Sequence, residues 1–160
     1  MEKKLRKQQN LLVDAGMGVI LFGIWGVAKI NMYMAMSSEF AEAWQSAIQI
    51  SGVDGELFTR GLWIFISVIL VIDLLSRLYI GFSAVADGKG KKKGYGYIVL
   101  SALVLVSNLH SSWLTYSSGF QQINVNTVMG LLMEVASLYV MVELTITAIR
   151  VRRLRKTMKR

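Results

Sequence analysis

Asp73, Arg77, His110, Glu134 and Glu143 all stand inside long apolar runs of this sequence. In water none would attract notice. At the centre of a membrane helix, a charged residue costs roughly 2.5–3.5 kcal/mol on insertion scales. Residues of these types at such depth either neutralise one another and pack helices, or line a track for protons or ions. Asp73 and Arg77 are four residues apart, which puts them on one helix face as a self-neutralising pair. Glu134 and Glu143 are nine apart, and ~100° per residue turns them to opposite sides of one helix. If one carboxylate faces its own helix core, the other faces a neighbouring subunit, a lipid headgroup or a water pocket. Similar depth pairs Arg77 with Glu143, and His110 with Glu134, as expected contacts.

His110 is the only histidine, with Asn108 and two serines close by in sequence. A zinc-type site needs further ligands at suitable spacing, and none accompanies it. His110 therefore reads as a hydrogen-bonded packing residue; no metal and no cofactor are expected. The chain has no Cys, which removes thiolate catalysis and disulfides. No Ser, His and Asp set converges, so an enzyme acting on lipid is a distant reading. The stretch from Asp87 to Tyr97 alternates glycine with lysine but lacks the Gly-Lys-Ser or Gly-Lys-Thr ending of a phosphate-binding loop. It reads as a flexible basic turn, with Tyr95 and Tyr97 suited to the interfacial belt.

Four apolar stretches must position these residues: 11–36, 61–86, 95–113 and 127–149. Each is near or above the ~20 residues that cross the hydrocarbon core as a helix. With 54% hydrophobic residues and a mean hydropathy of +0.47, the chain is too apolar for an ordinary soluble domain. The expected fold is an all-α polytopic membrane protein, a single domain of four transmembrane helices in a bundle. Proline is absent, so any break must come from glycine or packing. Gly16, Gly23 and Gly26 form a small-residue strip on span one that admits a close helix neighbour. Asp14 sits near the start of that span, where a helix N-terminus favours a carboxylate. Lys29 is near enough to the far interface to snorkel. The first span follows a basic start as a secretory signal does, but its length and Asp14 favour an uncleaved helix.

All Lys and Arg except Lys29, Arg60 and Arg77 fall in three blocks: residues 3–7, 89–93 and 150–160. Four crossings place every block on one side, which predicts a plasma-membrane protein with both termini cytoplasmic. Lys91, Lys92, Lys93, Arg150, Arg152, Arg153, Arg155 and Lys156 are the expected contacts to anionic headgroups. The net charge of +8 is thereby explained by topology and lipid, and no nucleic-acid partner is expected. Span four and the 150–160 tail are expected to run on as one helix. The external loop 37–60 is acidic, and Phe40, Trp44, Ala47 and Ile48 recur in it at helical spacing. That predicts a short amphipathic helix on the outer leaflet.

The Asp73-x-x-x-Arg77 element resembles the acid-x-x-x-Arg element in the second helix of voltage-sensor domains, which also have four helices and internal termini. Span four lacks their arginines at every third position through the membrane, so the resemblance implies no voltage sensing. The leading functional expectation is a non-enzymatic assembly or accessory component that self-associates or binds a protein partner. The alternative is a small oligomeric transporter or ion/proton channel using the intramembrane charges.

Overall fold

The computed structural model describes residues 2–36, 55–91, 93–117 and 125–158. Among them there are four helices and no strand: α1 (Glu2–Met36), α2 (Gly55–Gly88), α3 (Gly96–Ser117) and α4 (Val125–Thr157). The expected amphipathic helix of the first loop and the side chain of Lys92 lie outside the described residues. α1, α2 and α4 are each long and apolar enough to cross a membrane. α3 is the departure. It is the shortest of the four, 22 residues, and is apolar over Gly96–His110 among the described residues. Asn108, His110 and Ser112 interrupt the apolar run there.

The helices overrun the expected spans at the charged ends. α1 begins at Glu2, so the first basic block is already helical and Arg6 pairs with Glu2 at 2.8 Å. This corrects the reading of Asp14. It is exposed, and it lies more than three turns inside α1, beyond the reach of the helix N-terminal dipole. α4 runs unbroken from the apolar span through Arg150, Arg152, Arg153 and Arg155 to Thr157. At 1.5 Å per residue it is about 50 Å long.

The chain divides into two compact units, Met1–Phe22 with Arg77–Arg160, and Gly23–Ser76. The first holds the buried core. α1 contributes Leu12, Ala15 and Val19, and α2 contributes Ile80 and Ala84. Tyr97 and Ile98 come from α3, and Met141, Leu144, Ala148 and Val151 from α4. The spacings of three, four and seven residues along α1, α2 and α4 are those of single helix faces turned to a common centre. Ala15, Ala84 and Ala148 leave room for close approach. The second unit comprises the later part of α1 and the earlier part of α2. There Ile24, Trp25, Trp63, Phe65 and Ile69 are exposed.

Apolar side chains also face outward in the first unit, among them Phe82, Leu103, Val106, Leu132 and Val135. Long apolar helices with an apolar exterior suit hydrocarbon as the surrounding solvent.

Candidate functional site

Asp87 is a buried and heavily engaged polar side chain of the first unit. On α2, Ile80, Ser83 and Ala84 are buried, and Asp87 follows at the same helical phase, 1% exposed. Its carboxylate therefore enters the core at the level where α2 ends. The helix stops there in a Schellman arrangement: Gly90 N–H donates to the Asp87 carbonyl at 3.1 Å and Lys91 N–H to that of Ala86 at 3.0 Å. Gly90 takes φ +89°, a conformation that glycine adopts without a Cβ penalty.

Three groups converge on the carboxylate. Tyr97 of α3 donates its hydroxyl to Oδ2 at 2.6 Å. Arg155 Nη1 of α4 reaches Oδ1 at 2.5 Å, and its Nη2 donates to the Asp87 main-chain carbonyl. Arg152 Nη2 lies 3.4 Å from Oδ2 and donates to the carbonyls of Gly94 at 2.7 Å and Lys93 at 2.9 Å. The Arg152 guanidinium also stands 4.1 Å over the Tyr95 ring and 5.5 Å from that of Tyr97, within cation–π range. Arg152 is one turn beyond the buried Ala148, and Arg155 one turn beyond the buried Val151. The basic tail thus carries the inward face of α4 past the apolar core and presents two arginines to one carboxylate.

This cluster forms part of the wall of a cavity of about 600 Å³, lined by Asp87, Lys93, Tyr95, Ile98, Ile149, Arg152, Arg153, Arg155 and Lys156. Its lining holds five cations against one carboxylate, beside two isoleucines. Asp87 is already committed to Arg152, Arg155 and Tyr97, so Lys93, Arg153 and Lys156, all exposed, leave the cavity strongly positive. Arg152 Nε is buried and makes no hydrogen bond. Chemically, the arrangement can hold an anion with an apolar portion. Of the other expected headgroup contacts, Lys91 and Arg150 are exposed and do not line the cavity.

The residues inside the apolar runs meet polar groups on neighbouring helices. Arg77 of α2 reaches the hydroxyl of Ser137 on α4 and the side-chain carbonyl of Asn108 on α3, each at 3.4 Å. Ser112 of α3 donates to the Glu134 carboxylate and is 2.9 Å from the Asn108 main-chain carbonyl. About two turns beyond Ser137 toward the charged end, Ser101 and Thr145 join α3 to α4 at 3.0 Å. Neutral hydroxyls and an amide are thus among the partners of both charged residues: Arg77 meets Ser137 and Asn108, and Glu134 meets Ser112. Residues 110 and 112 are ~200° apart on α3, so His110 is exposed while Ser112 is buried.

Glu143 turns away from Glu134, as the half-turn offset between them requires. It is half-buried, lies one turn after Tyr139, and flanks the exposed residues Leu132, Val135, Tyr139, Val142 and Ile146. Asp73 lies in the second unit, half-buried on α2.

The glycine strip is corrected in part. A Cβ at Gly16 would stand 2.9 Å from the Gly81 carbonyl of α2 and 3.2 Å from Ala84 Cβ, so backbones meet closely there. Gly23 is buried, but nothing among the described residues lies within 4 Å of a Cβ at Gly26. The second close approach comes from Gly18, on the other face of α1, against Val140 of α4 at 2.9 Å. Gly88, likewise not singled out in the sequence, lies against the Gln9 carbonyl of α1 at 2.8 Å.

Asp87 is the residue of this cluster that was not expected from the sequence, because it opens a glycine- and lysine-rich stretch that reads as a turn. The available signal was phase. Carrying the α2 period seven residues on from Ile80 lands on Asp87, and the same extension of α4 lands on Arg152 and Arg155. Comparison of the chain with protein-family models, curated proteins and solved structures finds no match.

Proposed function

We propose that this chain is a small, non-enzymatic integral membrane component that assembles with further copies of itself. In this reading the four helices form one bundle in the plasma membrane. The three basic blocks hold both termini and the α2–α3 turn on the cytoplasmic side.

The observation that carries the proposal is the placement of Glu143. It lies about two turns inside α4 from Arg150, one turn after Tyr139 and beside an apolar, exposed stripe. A carboxylate facing lipid is unfavourable, and a second copy against this face would cover both groups. Glu134 and Arg77, by contrast, already have polar partners on neighbouring helices. The test is the mass of the purified protein in nanodiscs. The proposal expects two or more copies per particle for a chain of 17.9 kDa. One copy per particle, across anionic and neutral lipid, contradicts it.

A second reading is supported by the linked groups Arg77, Asn108, Ser112 and Glu134, which span α2, α3 and α4. Polar chains of this kind occur in proton and ion pathways. An oligomeric transporter or channel built on them predicts flux in proteoliposomes that Glu134→Gln abolishes with the fold intact. The leading reading predicts no such flux.

A further inference from the structure

We propose that the cavity between the α2–α3 turn and the basic end of α4 is a site for the phosphate group of an anionic phospholipid. The elements of the argument are charge, shape and position. Arg152 and Arg155 are fixed by Asp87, Tyr97 and main-chain carbonyls, so the cationic wall is pre-formed and needs no ordering on binding. Lys93, Arg153 and Lys156 add three cations whose side chains are exposed. Arginine presents a planar set of donors that matches phosphate oxygens, and Arg153 is free of the Asp87 contacts that occupy Arg152 and Arg155.

The isoleucines favour a lipid over a soluble phosphate. Ile98 and Ile149 line the cavity beside the cations. They belong to the first turn of α3 and to the last turn of the apolar part of α4. A phosphate held by the rim would leave its glycerol and acyl carbons against these side chains, where burial of apolar surface adds to the charge attraction. The cavity of about 600 Å³ exceeds what inorganic phosphate needs. The lipid source rests on the proposed topology, which puts this end at the anionic cytoplasmic leaflet. It does not depend on self-association.

The experiment is native mass spectrometry and lipid titration of the full chain in neutral detergent. The probes are phosphatidylglycerol, phosphatidylcholine and inorganic phosphate. The wild type is compared with two triple variants of equal charge change: Lys93→Gln/Arg153→Gln/Lys156→Gln at the cavity, and Lys3→Gln/Lys4→Gln/Lys7→Gln on α1. None of these six makes a contact with Asp87, so the fold is kept, and thermal unfolding verifies it. The wild type is expected to retain one phosphatidylglycerol tightly and phosphatidylcholine weakly. The cavity variant should lose about 100-fold in affinity, and the α1 variant should stay within about 2-fold. Equal losses in both variants, or equal binding of the two lipids, overturn the site. Displacement of phosphatidylglycerol by inorganic phosphate at matched concentration overturns the lipid assignment. Each outcome is read at whatever copy number the protein has, so a monomer would leave this result standing.

Discussion

A single buried carboxylate sets the chemistry of the charged end. Asp87 answers two arginines and a tyrosine, and both arginines take further support from carbonyls or an aromatic face. Removing one member of such a buried ionic group leaves the others uncompensated, which costs about 3–5 kcal/mol. Asp87→Asn is therefore expected to destabilise by that amount in mixed-micelle unfolding, where a loss below about 1 kcal/mol would contradict the burial argument. Tyr97→Phe deletes one hydrogen bond to a charged acceptor and should cost about 1.5–3 kcal/mol in the same assay. His110→Ala should be near neutral, since His110 is exposed on α3. A large loss there would mean that His110 is an essential packing group after all.

At the scale of the helices, the close approaches among the described residues are made at Gly16, Gly18, Gly81 and Gly88. Gly16→Ala brings a Cβ against the Gly81 carbonyl, a backbone atom that cannot rotate away, and should destabilise by about 1–3 kcal/mol. Gly26→Ala meets open space and gains helix propensity, so it should be neutral or stabilising by up to about 1 kcal/mol. Similar losses in the two variants would restore the strip as a packing surface. The spacing of glycines in α1 was legible in the sequence, but the neighbour that each one faces was not. Gly16 and Gly18 are two residues apart, so they face different helices, and only the packed structure assigns α2 to one and α4 to the other. The start of α1 was misjudged for a related reason. Hydropathy marks where side chains suit lipid, whereas α1 is already helical from Glu2 through basic residues with good helix propensity; α4 runs on into its basic tail as expected. The apolar interior of α3 is interrupted by Asn108 and Ser112, which supply acceptors and donors to α2 and α4.

For the whole molecule, the all-helical class followed from composition and run length, because an apolar chain of this kind leaves only helices or a closed barrel in lipid. Partner choice among the intramembrane charges did not follow, because depth alone does not fix azimuth. Arg77 and Glu143 share an expected depth, but the neighbours of each come only from the packed helices. Arg77 faces Ser137 and Asn108, and Glu143 lies one turn after Tyr139 at the outward stripe of α4. Self-association through that stripe is the central claim, and the absence of native cysteine makes it directly measurable. Val142, on the stripe, and Leu103, exposed on α3, are each replaced by cysteine and oxidised in native membranes. The account predicts a disulfide-linked dimer for Val142→Cys that weakens when Glu143→Gln is added, and monomer for Leu103→Cys. Monomer for Val142→Cys, or equal crosslinking at both positions, contradicts it.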